Sequence, residues 1–255
     1  MNSKALARFL YSCVPGLAAV RFAVKDLTGA YFAKPEYKGV LLLSVGGGLI
    51  VDVGANRGQS IAAFKKLAPE SHIVAFEPDP TLASKLASRY KRVQAVTIHG
   101  CALGQYCGAA KFFVPMYGRW NCDGMSSTDR HEATQWLRDP GRMLLFREAK
   151  LKVAEYTIEC RTLDSYGLTP QLVKLHAQGA ELAILKGSEQ TIRQYKPALM
   201  CAFPSVAVTE LLADWSYRPH VYYNRRFIPG IAKRPVTFTW YLTENHVRQI
   251  SVSVS

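Results

Sequence analysis

The segment Leu49-Ile50-Val51-Asp52-Val53-Gly54-Ala55-Asn56-Arg57-Gly58 restricts the fold of this chain more than any other stretch. A short, continuous apolar run ends in a tight glycine turn, and Ile61, Phe64 and Leu67 or Ala68 then recur on one helical face. Such a run fits a strand buried on both faces of a parallel sheet. Gly54 and Gly58 let the backbone approach a ligand where a Cβ would collide. The helix that follows offers free N–H groups and a positive dipole end, suited to a carboxylate.

The pattern repeats. His72 to Phe76 reads as a second buried strand, and Asp79-Pro80 starts a helix, Asp as cap and Pro at the first position. Leu82, Leu86 and Tyr90 follow at helical spacing, and Val93 to Ile98 reads as a third strand. Further on come strand Leu172 to Leu175, helix Ala180 to Lys186, a break at Gly187-Ser188, helical residues to Tyr195 and strand Ala198 to Phe203. Alternating strands and helices predict an α/β, doubly wound, mostly parallel sheet with right-handed crossovers. The runs Val221 to Tyr223, Val236 to Leu242 and Val247 to Val254 predict an antiparallel end to that sheet. Between these parts, Lys111 to Val114 reads as an edge strand and Met116 to Arg147 as a long polar loop, the kind that serves as a lid over a substrate. At 255 residues and 49% hydrophobic, the chain suits one large domain over residues 39–255, preceded by a helical lead-in over residues 1–38.

The second strand ends in Phe76-Glu77-Pro78. An acid there can accept hydrogen bonds from both hydroxyls of a ribose. The turn lacks the third glycine of a dinucleotide loop, which disfavours NAD and FAD. A nucleoside ligand without a pyrophosphate fits better, and S-adenosylmethionine (SAM) is one. The alternative is an α/β domain that binds no nucleotide.

Seven blocks in order carry a family resemblance: Val51-Asp52-Val53-Gly54-Ala55-Asn56-Arg57-Gly58, Ala75-Phe76-Glu77-Pro78, Ala102-Leu103-Gly104, Ser126-Ser127, Thr162-Leu163-Asp164-Ser165, Gly179-Ala180-Glu181-Leu182 and Leu185-Lys186-Gly187. Over roughly residues 35–205 the chain resembles the FkbM-type methyltransferases, SAM-dependent O-methyltransferases that often act on sugar or natural-product hydroxyls. The resemblance implies a class I methyltransferase (Rossmann-like) fold with a seven-stranded sheet. It implies that Asp52, Gly54, Asn56, Gly58 and Glu77 line the donor site, with Ser127 on a loop near it and Asp164 toward the acceptor.

One block departs from the pattern. Where family members read Lys-Ile-Asp-Val-Glu-Gly, this chain reads Lys174-Leu175-His176-Ala177-Gln178-Gly179, and Met200-Cys201-Ala202-Phe203 supplies no acid on the next strand. An alcohol acceptor has to lose a proton as it is methylated. His176, with an ordinary imidazole, is the first choice of base, and Glu181 the second. A histidine merely hydrogen-bonded at a strand end, a Glu that compensates a helix dipole, and an Asp164 that caps a helix are the plainer readings. The lost acids also set a catalytically impaired SAM-binding protein beside the enzyme. No His, Asp and Glu grouping has metal spacing.

The formal charge of +13 favours an anionic partner: RNA, an acidic membrane surface, or a substrate bearing phosphate or carboxylate. It leaves a nucleic-acid methyltransferase open. Arg138, Arg142 and Arg147 lie in the long loop, and Arg218, Arg225, Arg226, Lys233 and Arg234 near the C-terminus. There Tyr222, Tyr223, Phe227 and Trp240 would suit stacking on sugars or bases, and a solvated positive face over core aromatics is the plainer reading. Six scattered cysteines without a Cys-x-x-Cys pair read as reduced, buried thiols of a cytoplasmic protein. Phe9 to Val20 imitates a signal peptide, but Pro15-Gly16 interrupts it and Arg21 and Lys25 close it. A helix packed on the domain, or a basic segment resting on a membrane surface, accounts for it better.

Overall fold

The computed structural model describes residues 3–28, 34–43, 45–139 and 141–253. The helices are α1 (Ser3–Cys13), α2 (Leu17–Thr28), α3 (Gln59–Leu67), α4 (Pro80–Tyr90), α5 (Arg130–Arg138), α6 (Glu181–Lys186), α7 (Glu189–Tyr195), α8 (Val206–Asp214) and α9 (Glu244–Ser253). The strands are β1 (Leu49–Val53), β2 (His72–Phe76), β3 (Val96–His99), β4 (Ala102–Leu103), β5 (Gly108–Tyr117), β6 (Trp120–Asn121), β7 (Leu151–Arg161), β8 (Pro170–Leu175), β9 (Ala198–Ala202), β10 (Arg218–Tyr223), β11 (Arg226–Pro229) and β12 (Phe238–Leu242).

The main sheet runs β11-β10-β12-β9-β8-β1-β2-β3. Pairings from β9 to β3 are parallel, and those of β12, β10 and β11 are antiparallel. This is the doubly wound, Rossmann-like sheet expected, with eight strands rather than seven because β11 adds to the edge. Period-2 alternation divides the core between two faces. Ile50, Leu172, Met200 and Trp240 pack into one cluster, and Val51, Val173, Leu199 and Tyr241 into the other. Helix α4 starts as its chemistry requires: the Asp79 carboxylate accepts from the amides of Thr81 at 2.9 Å and Leu82 at 3.1 Å.

Two readings need correction. The excursion at 105–156 is mostly ordered: β5 pairs antiparallel with β7 from Gly108–Cys160 to Tyr117–Leu151, and β4 and β6 complete a second, four-stranded sheet. Its pairing is long-range, so a polar sequence with few local turn signals concealed it. The expected strand from Val247 is a helix as far as it is described: Glu244–Ser253 is helical, Val254 lies outside the described residues, and β-branched residues misled where the spacing of Val247 and Ile250 suits a helix. Trp240, Tyr222 and Phe227 belong to the core, with the Phe227 ring 5.4 Å from that of Trp240, and only Tyr223 of that group is exposed.

Helix α1 packs on the second sheet. Tyr11 joins Tyr117, Trp120, Cys122, Leu137 and Met143 in a satellite core under the excursion. A 3-10 helix over Pro35–Leu42 spans the expected boundary at residue 38 and buries Tyr37 and Val40 against the main sheet. Cys101, Cys122 and Cys201 are buried as expected, whereas Cys13 and Cys107 are exposed. Among the described residues no helix is long and apolar enough to cross a membrane.

Candidate active site

The site begins with a buried ion pair. Asp52 on β1 and Lys174 on β8 are register partners in the parallel ladder. The Lys174 ammonium lies 2.8 Å from the Asp52 carboxylate, with side-chain exposures of 2% and 0%. The ammonium also donates to the carbonyls of Val53 at 3.1 Å and Gly54 at 2.8 Å, and the Ser60 hydroxyl donates to Asp52. These contacts satisfy two charges that would otherwise be costly so deep in the sheet. They also pin the first turn of the glycine loop from below.

Above that pair the backbone folds tightly. Gly54 has φ +75°, and a Cβ on it would lie 2.1 Å from the His176 carbonyl oxygen. Only glycine lets β1 and β8 end this close together. The amides of Gly54 and Ala55 donate to the Phe76 carbonyl at 3.0 and 3.2 Å, tying the loop to β2. Glu77 then accepts from the Asn56 amide at 2.6 Å and the Asp79 amide at 2.9 Å. Burial raises the Glu77 carboxyl to about 7, against the opposing pull of those two amides.

A cavity of about 430 Å³ opens over this loop. Gly54, Asn56, Glu77 and His176 line it, together with Arg57, Lys174, Gln178 and the apolar strip Ala102, Leu103, Phe112 and Ile184. SAM fits these residues. An acid with capacity left for hydroxyls stands at the end of β2, the glycine loop frees space for a backbone approach, and the strip suits a flat base. The Ser126 hydroxyl, buried on the cavity wall, has no hydrogen-bond partner among the described residues.

Five of the expected site residues do other work. Asp52 lies beneath the loop, committed to Lys174 and Ser60, and does not line the cavity. Gly58, at φ +80°, gives room to Leu86 of α4, which a Cβ would approach to 2.6 Å. The Ser127 hydroxyl donates to the Gln178 carbonyl at 2.9 Å and accepts from the Asp129 amide, so it clamps two loops while Ser126 and Thr128 face the cavity. Asp164 caps α7, accepting from the amides of Gln190 at 3.1 Å and Thr191 at 2.8 Å. That is the capping role, on a later helix than the sequence suggested, and Asp164 does not line the cavity.

Glu181 accepts from the amides of Ala177 at 2.7 Å and Gly179 at 2.9 Å. It holds the turn after β8 rather than facing the donor cavity. That turn carries His176 and Gln178, the latter at φ +50°. The Gln178 side-chain amide donates to the Gly124 carbonyl at 3.1 Å, which fixes its nitrogen, and the same nitrogen lies 3.3 Å from His176 Nε2. Nε2 is therefore the acceptor and the ring proton sits on Nδ1. Phe203 and Phe238 flank the ring at 6.4 and 5.8 Å. Burial, then the charges of Lys174 and Lys34, push the imidazole down to about 3. It is neutral throughout the physiological range.

Sequence reasoning missed Lys174, Arg57 and Asp123. A lone lysine inside the apolar strand Leu172-Val173-Lys174-Leu175 needs a buried acid, and Asp52 is the one charged residue of the neighbouring strand, so that signal was present. Arg57 pairs with Asp123 across the mouth of the cavity, and its guanidinium lies 4.5 Å over the Phe22 ring of α2. No local pattern links residues so far apart.

A second, larger cleft of about 880 Å³ adjoins the first and shares Asn56, Arg57, Asp123, Gly124, His176 and Gln178 with it. Its outer wall comes from α1, α2 and α5.

The methyltransferase FkbM domain family matches residues 52–221, more than half of the chain. The 2-O-methyltransferase NoeI of Sinorhizobium fredii is 25% identical over 156 residues, covering 56% of this chain and 58% of that protein. Methyltransferase 1 of Beauveria bassiana is 26% identical over 147 residues, 54% and 57% of the two chains. The match thus spans less than two thirds of the length of these curated relatives. Among solved structures, a methyltransferase FkbM from Methylobacillus flagellatus aligns with 91% of this chain and 62% of its own, at 16% identity and a TM-score of 0.47. The chain belongs to the FkbM methyltransferase family, whose methyl donor is S-adenosylmethionine.

Proposed function

We propose that this protein is an O-methyltransferase that methylates a hydroxyl of a sugar, glycan or other hydroxylated metabolite. The carrying observation is the shared wall: the donor-type cavity and the larger cleft meet at Asn56, His176 and Gln178. A methyl donor in the first and an acceptor in the second would face each other there. SAM supplies an electrophilic methyl group, and an in-line displacement of that kind depends chiefly on positioning. The protein's own part is to hold the acceptor oxygen in line. With Nε2 taken by Gln178, neutral His176 keeps its Nδ1–H as a hydrogen-bond donor at every physiological pH, suited to orient a hydroxyl oxygen. With its basicity lowered this far it is a weak proton acceptor, so we assign it a positioning role ahead of a base role. The name of one relative, the 2-O-methyltransferase NoeI, supports this reading. The free thiols further suggest a cytoplasmic setting.

The test is calorimetry with SAM, followed by a transfer assay with radiolabelled methyl donor on a panel of hydroxylated acceptors and on RNA. Donor binding with methyl ethers as product supports the proposal. Donor binding with no product would make the chain a binding protein, and label in RNA would make it a nucleic-acid enzyme.

A further inference from the structure

The wall of the larger cleft is unusually cationic. Arg8, Arg21, Arg57, Arg142 and Arg234 line it, from five separate parts of the chain. Two of its acids are engaged: Asp123 with Arg57, and Glu181 with backbone amides. Among the described residues Glu132 is the one other carboxylate on the wall, and neither Arg8 nor Arg21 is ion-paired.

All five arginines lie over aromatic rings. The guanidinium groups of Arg8 and Arg142 lie 4.5 and 5.1 Å from the Trp136 ring centroid, and Arg8 donates to the Arg142 carbonyl at 2.9 Å. Arg21 lies 5.3 Å over Tyr11 and donates to its hydroxyl at 2.7 Å. Cation–π contacts and fixed forks organise these groups in advance. Burial and the nearness of Arg142 and Arg21 lower the pKa of Arg8, as expected where like charges crowd together. Arg142 reaches only Asp139, at 3.7 Å. Partly buried cations that outnumber their counter-charges are costly unless a ligand supplies the anion. A carboxylate, sulfate or phosphate is the group that guanidinium forks match best.

We infer, resting on the reading that this cleft takes the acceptor, that the acceptor carries an oxyanion, gripped by Arg8, Arg21 and Arg142 while its hydroxyl points toward His176. The free inorganic ion is the competing source of the same chemistry.

The experiment uses the full chain saturated with S-adenosylhomocysteine. Calorimetry compares glucuronate and glucose 6-phosphate with glucose, 4-hydroxybenzoate with phenol, and inorganic phosphate and sulfate alone. At least one organic anion is expected to bind roughly tenfold or more tighter than its neutral parent and than the inorganic ions, as one charge-assisted contact allows. Arg8→Gln with Arg142→Gln should erase that margin with unchanged affinity for S-adenosylhomocysteine. Arg21→Gln, at an exposed position, should reduce it without a folding penalty. No anion binding, equal binding of charged and neutral partners, inorganic ions binding as tightly as any organic anion, or a margin that survives all three substitutions would overturn the inference. Methyl transfer to neutral acceptors with no anion preference would overturn it too, yet leave the methyltransferase reading intact. An arginine-dependent margin without transfer would uphold the anion site and count against that reading.

Discussion

The donor cavity is built from the carboxyl ends of three neighbouring parallel strands, β1, β2 and β8, and its key contacts are backbone amides, glycines and one buried ion pair. The arginine-lined cleft next to it is built from side chains on α1, α2, α5 and the approach to β12, and its contacts are guanidinium groups on aromatic rings. The first surface is dictated by a sheet that many sequences can form, so it is set by main-chain geometry. The second depends on which side chains an insertion happens to present. A family can therefore share one donor site and differ in acceptor. Each half should fail in its own way.

The largest effect should come from the ion pair beneath the donor loop. Lys174→Met leaves the Asp52 carboxylate buried and unpaired and should cost about 3–5 kcal/mol in urea unfolding. Asp52→Asn combined with Lys174→Met should cost less than the two single changes added together. A loss below about 1 kcal/mol would mean that buried charge does not hold the donor side.

Next comes the loop itself. Gly54→Val adds a Cβ where the His176 carbonyl already stands, at a φ that β-branched residues avoid. SAM affinity should fall roughly a hundredfold or more, beyond what one lost hydrogen bond explains. Gly46→Ala, with open space around it, is the control and should bind normally. If anion binding to the cleft survived Gly54→Val, the two halves would be independent. If both were lost, the shared wall would couple them.

The same contrast explains what the sequence reveals. Strand ends, the Asp79 cap and the glycine turn are local signals, and Gly54, Asn56 and Glu77 line the cavity. Asp52, Gly58 and Ser127 carry the motif but serve its support: a motif records which residues a loop needs, not which of them touch a ligand. The cleft is nearly illegible. Arg142 and Arg234 stand out as basic residues, but nothing near Arg8 says that it will meet Trp136 across a satellite core. The β5–β7 pairing joins residues 34 to 52 positions apart, from Tyr117–Leu151 to Gly108–Cys160, beyond the reach of periodicity.

A third test bears on the donor half alone. Glu77 lies at about 7, above its ordinary 4.5, because it is buried. Hydroxyl donors favour the ionised form, so SAM affinity should rise as pH increases through 7 and fall by up to about tenfold per unit below it. Stability of the donor-free protein runs the opposite way. The protonated carboxyl favours the fold below pH 4.5, and that contribution is lost as pH rises toward 7. Glu77→Gln should flatten both profiles. An affinity independent of pH between 6 and 8 in the wild type would remove Glu77 from the ribose role.

The smallest effect should fall at the border between the halves. His176 is deprived of its proton affinity by burial and by Lys174 and Lys34, and its Nε2 receives the Gln178 amide. A base with an ordinary imidazole would give a rate that falls below about pH 6.5 and a loss of roughly a hundredfold or more in His176→Ala. A neutral ring that orients a hydroxyl predicts otherwise: a rate free of any inflection near 6.5, and a loss near tenfold, the worth of one hydrogen bond. Stability should carry the signature of the lowered pKa. The neutral ring contributes fully above 6.5, and that contribution is lost as pH falls from 6.5 toward 3, relative to His176→Gln. Gln178→Ala sharpens the choice by freeing Nε2 from its donor. If His176 positions, kcat drops modestly and the pH profile stays flat. If His176 is a base held in check by Gln178, the variant should gain an acidic limb that the wild type lacks, and the border would then belong to the chemistry rather than to the grip on the acceptor.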